Sequence, residues 1–509
     1  MAKKVGFNNK LYIAEQSKRI RHRVDMFDKL YLEFGGKLFD DYHAARVLPG
    51  FDLNAKVKLL AELKEQAEIV FCISAKAIEL NKVRADLGIT YDMDVLRLVD
   101  KMRGMGLYIS AILITQYSGQ TGADVFRKRL EQIGERVYVH TLTKGYPSDV
   151  NVIVSEEGYG ANPFIETTRP LVIVTAPGPG SGKLATCLSQ LYHEQKKGIK
   201  AGYAKYESFP VWNLPLQHPV NIAYEAATAD LKDVNMIDPF HLAAYDQTTV
   251  NYNRDIEAFP VVRTILTRIT GKDIYKSPTD MGVNLIGDCI NDDEVVREAA
   301  CQEIIRRWYM ARCANKQGSG DTEEVHRIEF LMSSLSLGPN DRKVVEPANA
   351  KAAELREEAA KEEISNYHNY NLTAVALELP NGTILTGKSS PLMNDTAAVV
   401  LNSIKYLAGI SDEILLISPN VLEPIIRLKK DILGSHYPVL KLEEVLQALS
   451  FSASMNPTAE LAMKQLKKLK GCKAHCSNII TQDDVSCFLK LGIDFTCEPE
   501  YPTTDRYFH

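Results

Sequence analysis

Three glycines and a lysine fall within the six residues Gly178-Pro179-Gly180-Ser181-Gly182-Lys183. The apolar run Leu171–Thr175 precedes them, and a helix-forming run, Lys183–Gln195, follows. A strand, a glycine turn and a helix in that order bind phosphate. Successive backbone N–H groups point at the anion, and the positive end of the helix dipole reinforces them. Glycine is needed because a Cβ would block the approach and because such turns use positive φ. Lys183 would meet the phosphate oxygens as a point charge. The expected phosphate-binding residues are therefore Gly178, Gly180, Ser181, Gly182 and Lys183. In the usual nucleotide-binding pattern a glycine opens the loop and a Ser or Thr follows the lysine. Here Pro177 and Leu184 stand at those two places, so the usual magnesium-ligating hydroxyl is missing. Ser181 and Thr186 are the nearby hydroxyls. The expected ligand is ATP or another nucleotide with magnesium. A phosphorylated metabolite such as a sugar phosphate is the alternative, and a purely structural turn is the third reading.

Downstream, between Tyr203 and Asn284, polar and charged residues are dense. Asp230, Asp233 and Asp238 suit Mg²⁺ binding or general-base work. His241 suits proton transfer. Arg254 and Lys276 suit charge neutralisation, with Asp255 and Asp280 to orient them. Phosphoryl transfer needs such a set, and Asp230, Asp238, His241, Arg254 and Lys276 are the candidate catalytic residues. The competing reading is structural: Asp238 before Pro239 has the form of a helix N-cap, and Asn251 and Asn253 suit turns. Glu33, Lys37, Asp40, Asp41, His43 and Arg46, with Asn81, Arg84 and Asp86, form a second group after early strands. Carboxyl ends of parallel strands line the crevice of open α/β sheets.

The elements that must position these residues alternate. Runs at Leu30–Phe34, Glu68–Ile73, Leu107–Gln116, Arg136–His140, Leu171–Thr175 and Ala201–Lys205 read as strands with helices between them. That pattern predicts βαβ units and a doubly wound, mostly parallel sheet. Residues 1–290 are read as this α/β phosphate-binding domain, with 211–290 as a polar cap. Residues 291–369 read as a helical connector and 370–509 as a C-terminal α/β domain. There, Pro380-Asn381-Gly382 between two β-prone runs signals a hairpin. A helix near Ala397–Ala408 and a strand at Glu413–Ser418 are expected to follow.

The chain of 509 residues is too long for one core, and 45% hydrophobic with 25% charged residues is ordinary for a globular protein. A net charge of −5 gives no field for nucleic acid. No apolar run approaches a membrane span, and no signal-type segment opens the chain, so a cytoplasmic protein without nucleic-acid or membrane partners is expected. Nine scattered cysteines suit reduced thiols. His193-Glu194 lacks the second histidine of a zinc protease, so that activity is excluded. No metal ligand set is assigned.

The run Thr175–Lys183 resembles an uncharacterised bacterial family, catalogued as domain of unknown function eighteen-forty-six. Leu32–Asp41, Arg46–Phe51, Ala223–Leu231, Met236–His241, Thr249–Asp255 and Ser277–Asn284 are similar to it as well. The resemblance spans nearly the whole chain and implies fold more than function. It implies an N-terminal α/β part, a helical insert and a C-terminal part laid out like the cytidine deaminase fold. No established activity comes with it. An active zinc deaminase needs H-x-E and P-C-x-x-C. Cys472, His475 and Cys476 have neither form, so that tail is expected to be catalytically empty. The combined expectation is a nucleotide- or phosphate-binding protein, acting as a phosphotransferase or nucleoside-triphosphate hydrolase on a small phosphorylated molecule. The alternative is a non-catalytic nucleotide-binding or assembly protein, with a homo-oligomer as an expected partner.

Overall fold

A computed structural model describes residues 4–84, 87–361, 371–435 and 438–502. The chain divides into two compact units, one of Val5–Ala300 and another from Cys301 onward. The division falls within the long helix Asp293–Lys316.

In the first unit six strands build one sheet: β1 (Lys29–Phe34), β2 (Ala67–Ser74), β3 (Ile109–Tyr117), β4 (Val137–Thr141), β5 (Leu171–Thr175) and β6 (Ala201–Tyr206). Their order across the sheet is β4-β3-β2-β5-β1-β6, and every neighbouring pair is parallel. β5 reads Leu-Val-Ile-Val-Thr because it is central, with helices covering both faces and every residue buried. Each such aliphatic side chain contributes about 1.5–3 kcal/mol on leaving water.

One face carries Tyr31, Val172, Val174 and Tyr203. It packs against Cys187, Leu188 and Leu191 of α1 (Lys183–Lys196) and against Phe259, Val262 and Ile265 further along the chain. The other face carries Phe34 stacked on Tyr206, with ring centroids 4.2 Å apart. The Tyr206 hydroxyl meets that of Tyr12, on the helix Asn9–Val24.

β1 and β5 are neighbours, yet the chain leaving β1 runs to β2 on one side and the chain leaving β5 runs to β6 on the other. Such a reversal opens a crevice beyond the carboxyl ends of the two strands.

The segment after β6 is more regular than its composition predicts. It contains β7 (Asn235–Ile237) and β8 (Val250–Tyr252), paired antiparallel, with α2 (Pro239–Tyr245) between them. The helix α3 (Asn253–Thr270) follows, then the single turn α4 (Pro278–Met281). Periodicity was weak because most of these pieces are only a few residues long.

The second unit holds the helices Thr322–Ser334 and α5 (Val345–Lys361). Its sheet has the order β10-β9-β11-β12, where β9 is Ala374–Glu378, β10 Ile384–Lys388, β11 Lys473–Cys476 and β12 Asp494–Cys497. β9 pairs antiparallel with β10 and β11, and β11 pairs parallel with β12. The hairpin turn falls at Pro380–Gly382, as the Asn-Gly signal predicts, and α6 (Asp395–Ala408) follows. The strand expected at Glu413–Ser418 does not form. Ile414 and Leu415 are both exposed while Leu416 and Ile417 are both buried, which is not the alternation of a strand. Ser418 instead caps the helix Pro419–Arg427 by accepting from the Asn420 N–H.

Among the described residues no helix is long and apolar enough to cross a membrane.

Candidate functional site

The glycine turn leaves β5 at the centre of the sheet and delivers α1 to the crevice. Gly182 is the N-cap of α1 with φ +79°, and no side chain caps the helix. The first amides of a helix have no partner within it, so those of α1 remain directed at the crevice. Gly180 also has positive φ, +71°. At Gly182 a Cβ would stand 3.1 Å from the Thr115 side chain. Thr115 of β3 fixes the turn by donating to the Ser181 carbonyl at 2.9 Å, and Gln116 donates to that of Gly180 at 3.3 Å. The Gly178 Cα lies against the Tyr91 ring, where a Cβ would stand 2.4 Å from the hydroxyl oxygen.

Lys183 is half-buried, and among the described residues its ammonium has no hydrogen-bond or ion-pair partner. Its charge acts on the buried thiols of Cys72 and Cys187, as does that of Glu33 with the opposite sign. Lys183 and Glu33 therefore share one face of the crevice. Burial dominates at both thiols and pushes Cys72 up to about 12, so neither is a nucleophile.

Ser181 and Thr186 are both buried in the turn. Ser181 Oγ donates to the Gly178 carbonyl at 2.6 Å, and Thr186 Oγ1 to the Gly182 carbonyl at 2.9 Å. Neither hydroxyl is presented at the mouth of the turn, where a metal on a bound phosphate would lie.

On the other side of the crevice, Glu33 and Asp255 were sequence candidates, whereas Lys205 and Glu207 were not. Glu33, near the end of β1, pairs in register with Val174 on β5 and Lys205 on β6. It is buried and accepts from the Tyr203 hydroxyl at 2.7 Å. Lys205 Nζ lies 2.6 Å from Asp255 at the start of α3 and 3.1 Å from Glu207. Burial opposes the lysine's charge, but Asp255, Glu207 and Glu33 outweigh it and raise the pKa. Burial likewise pushes Glu207 up to about 7; Lys205 opposes the rise, while Asp255 and Glu33 add to it. Glu207 lies across the end of β1, where a Cβ on Gly35 would stand 2.7 Å from its Cγ. About a third of its side chain, 31%, still reaches solvent. It borders a cavity of about 50 Å³ lined by Lys205, Asp255, Trp212, Asn251 and Thr279. A carboxyl that exchanges its proton near neutral pH, beside a fixed ammonium, has the properties of an acid–base group. The sequence signal for this cluster is thin: Lys205 and Glu207 end a strand, but Asp255 joins them only in space.

The five candidate catalytic residues fall in different places. Asp238 is fully buried as the N-cap of α2. It accepts from the N–H groups of Phe240 and His241 at 3.0 Å and from the Thr279 hydroxyl at 2.7 Å. It therefore stands behind Thr279, one residue away from the cavity. His241 Nδ1 is 2.8 Å from the Ser277 hydroxyl, which also caps α4. Arg254 grips Asp233 through two nitrogens, at 2.6 and 2.8 Å. Burial raises the Asp233 pKa, against the pull of Arg254. Lys276 shares the exposed Asp273 with Arg263, and these two partners hold Asp273 well below the usual carboxylate range. Asp230 is exposed on a short turn, Ala229–Leu231. Asp238 and His241 are thus brought together at α4, while Arg254 and Lys276 each occupy a separate ion pair.

Three members of the second group, Asp41, Arg84 and His43, make buried contacts. Asp41 caps the helix Tyr42–Val47 and pairs with buried Lys56 at 2.8 Å. Arg84 pairs with buried Asp94 at 2.9 Å, and the His43 ring packs on Phe209 and Tyr224. Asp86 lies outside the described residues. Glu194, of the rejected protease pair, is buried against Lys29 at 2.9 Å. Among the described residues no three His, Cys, Asp or Glu side chains converge as a metal site.

A six-stranded parallel sheet with helices on both faces and a crevice at the reversal of strand order defines an α/β protein of the doubly wound kind. The comparisons go further. Residues 5–336 match the family described as domain of unknown function DUF1846, N-terminal, and residues 340–507 match its C-terminal counterpart. The chain belongs to this family. It is 59% identical over 507 residues to a UPF0371 protein of Clostridium botulinum strain Loch Maree, covering 99% of this chain and 100% of the relative. A UPF0371 protein of Clostridium tetani is 58% identical over the same length, with 99% and 100% covered.

Proposed function

We propose that this protein binds the phosphate of a small phosphorylated molecule at the N-terminus of α1 and acts on that molecule in the crevice. The carrying observation is the pairing of an uncapped helix start, with Gly182 at φ +79°, with a Lys183 ammonium that has no partner among the described residues. A structural turn does not require either. Backbone amides and Lys183 would hold the phosphate, and Glu207 supplies proton exchange beside it.

Nucleoside triphosphates with magnesium remain within the proposal, as does phosphoryl transfer or hydrolysis. A second reading is non-catalytic binding, and one observation favours it: the buried Ser181 and Thr186 leave the turn without a hydroxyl for magnesium. In the second unit, the strand order with β9 antiparallel to its neighbours supports a deaminase-like layout. His475 there is buried against Thr496 at 2.8 Å and Glu498 at 3.2 Å, which supports a unit without zinc chemistry.

The test is thermal unfolding of the full chain with nucleotides, phosphorylated metabolites and inorganic phosphate, with and without Mg²⁺. A ligand at about a hundred times its Kd adds roughly 2.7 kcal/mol, a shift of a few degrees. The expected result is such a shift, lost in Lys183→Ala. If no phosphate compound shifts the intact protein, the proposal fails. Binding with no turnover across the same panel would leave the second reading standing.

A further inference from the structure

The cavity beside Glu207 is lined by Lys205, which is in register with Glu33 on the sheet face that α1 covers, and its size and lining bear on what it accepts. From β5, which carries the turn, to β6, which carries Lys205, is two strand spacings. That is about 10 Å at the usual spacing of parallel strands. A short carbon chain on a phosphate at α1 would span that distance if it ran across Glu33 toward Lys205 and Glu207.

The cavity measures about 50 Å³. That is room for about three or four waters, which suits the hydroxylated end of a small chain better than a nucleobase. Its polar lining is mixed. Lys205 donates, Glu207 and Asp255 accept, and Asn251 offers both kinds of group. The one ammonium is already shared between two carboxylates, at 2.6 and 3.1 Å, so the site holds no free cation for a second anionic group. Hydroxyls, which both donate and accept, match it. Trp212, fixed by its indole N–H donating to the Asn284 carbonyl at 2.7 Å, supplies an apolar wall with Pro210. Carboxylates, an amide and an aromatic face around a small space are the means by which polyols are held.

We propose that this cavity is the subsite for the hydroxyl-bearing carbon chain of a sugar phosphate or polyol phosphate whose phosphate sits at the N-terminus of α1. The inference rests on the phosphate reading above and narrows it to that substrate class. Glu207 hydrogen-bonds a substrate hydroxyl there.

Calorimetric titration of the full chain tests it, using ribose 5-phosphate, glucose 6-phosphate, inorganic phosphate, ATP and free glucose. At least one sugar phosphate is expected to bind about tenfold or more tighter than inorganic phosphate, a step of about 1.4 kcal/mol. Asn251→Ala should abolish that preference while leaving inorganic phosphate affinity nearly unchanged, and Glu207→Gln, tested separately, should weaken the sugar phosphate more than inorganic phosphate. Lys183→Ala should weaken both ligands. If inorganic phosphate and ATP bind through Lys183 but no sugar phosphate binds more tightly, this inference falls and the phosphate reading stands. A preference that survives both cavity variants also overturns it. If no phosphate compound binds at all, the two fall together.

Discussion

Lys183 and Asp238 show how two charged residues in one unit come to opposite uses. Lys183 makes no hydrogen bond or ion pair among the described residues, so removing it breaks no polar interaction of the folded state. Substitutions of that kind change stability by about half a kcal/mol at most. Lys183→Ala should therefore melt with the parent protein in the absence of ligand and differ only when phosphate compounds are added. A clear loss of stability without ligand would mean that the lysine has a structural partner. Asp238 is the reverse case, because its carboxylate ties the start of α2 to Thr279. Asp238→Ala leaves the Phe240 and His241 amides and the Thr279 hydroxyl without that acceptor. The expected cost is about 1–3 kcal/mol. Denaturant midpoints measure it, and an unchanged midpoint would return Asp238 to the list of functional carboxylates. The glycine turn was legible in the sequence because its geometry is local: glycines at fixed offsets between an apolar run and a helix. The Asp238-Pro239 pair was legible as a cap for the same reason. Glu207 was not, since its environment comes from Lys205, Asp255 and Glu33, three segments that meet only once the strand order is known.

At the scale of elements, the turn between β5 and α1 is set by two glycines whose constraints differ. Gly180 and Gly182 both have positive φ, at +71° and +79°. Around Gly180 a Cβ would meet nothing within 4 Å, whereas at Gly182 it would meet Thr115 at 3.1 Å. Left-handed backbone costs a residue with a side chain about 1–2 kcal/mol. Gly180→Ala should lose roughly that amount and keep the turn's shape, so ligand protection persists. Gly182→Ala adds the clash at the helix start and should lose more stability together with the ligand's protective shift. Melting curves with and without a bound phosphate compound separate the two, and equal behaviour would argue that the amides of α1 do not face the ligand. The six strands of the main sheet were legible because each is an apolar run bounded by helices. The segment Glu413–Ser418 misled because four consecutive aliphatic residues, Ile414–Ile417, have strand composition without strand partners. Aliphatic composition makes a segment strand-prone, and only its neighbours decide whether it is buried and joins a ladder.

Across the whole molecule, two sets of buried groups pull stability in opposite directions as pH changes. Burial lowers His140 to about 4 and also lowers His218 and His475. These histidines bind protons more readily in the unfolded chain, whose ordinary value is about 6.5. Their contribution to stability therefore rises as pH rises toward that value. Burial instead raises Asp395 to about 6 and Glu207 to about 7. The Asp395 Oδ2 is buried without a hydrogen-bond partner, which suits the protonated form. These carboxyls hold protons in the folded state that the unfolded chain has released above about pH 4. Their contribution falls as pH rises, through about 6 for Asp395 and about 7 for Glu207. The two sets oppose each other between about pH 5 and 7, and the native protein should show a shallow dependence there. Asp395→Asn and Glu207→Gln remove two members of the falling set, leaving Asp233, whose carboxyl burial also raises, and leave the rising set intact. The double variant should therefore gain more in melting temperature between pH 5 and pH 7 than the parent does, with each single variant in between. The carboxylates held below their ordinary range, such as Asp41 and Glu498, titrate at more acid pH and leave this window unaffected. A double variant whose melting temperature followed pH as the parent's does would mean that neither carboxyl carries its proton in the fold. The acid–base role assigned to Glu207 would then lose its basis, although the phosphate site at α1 would not.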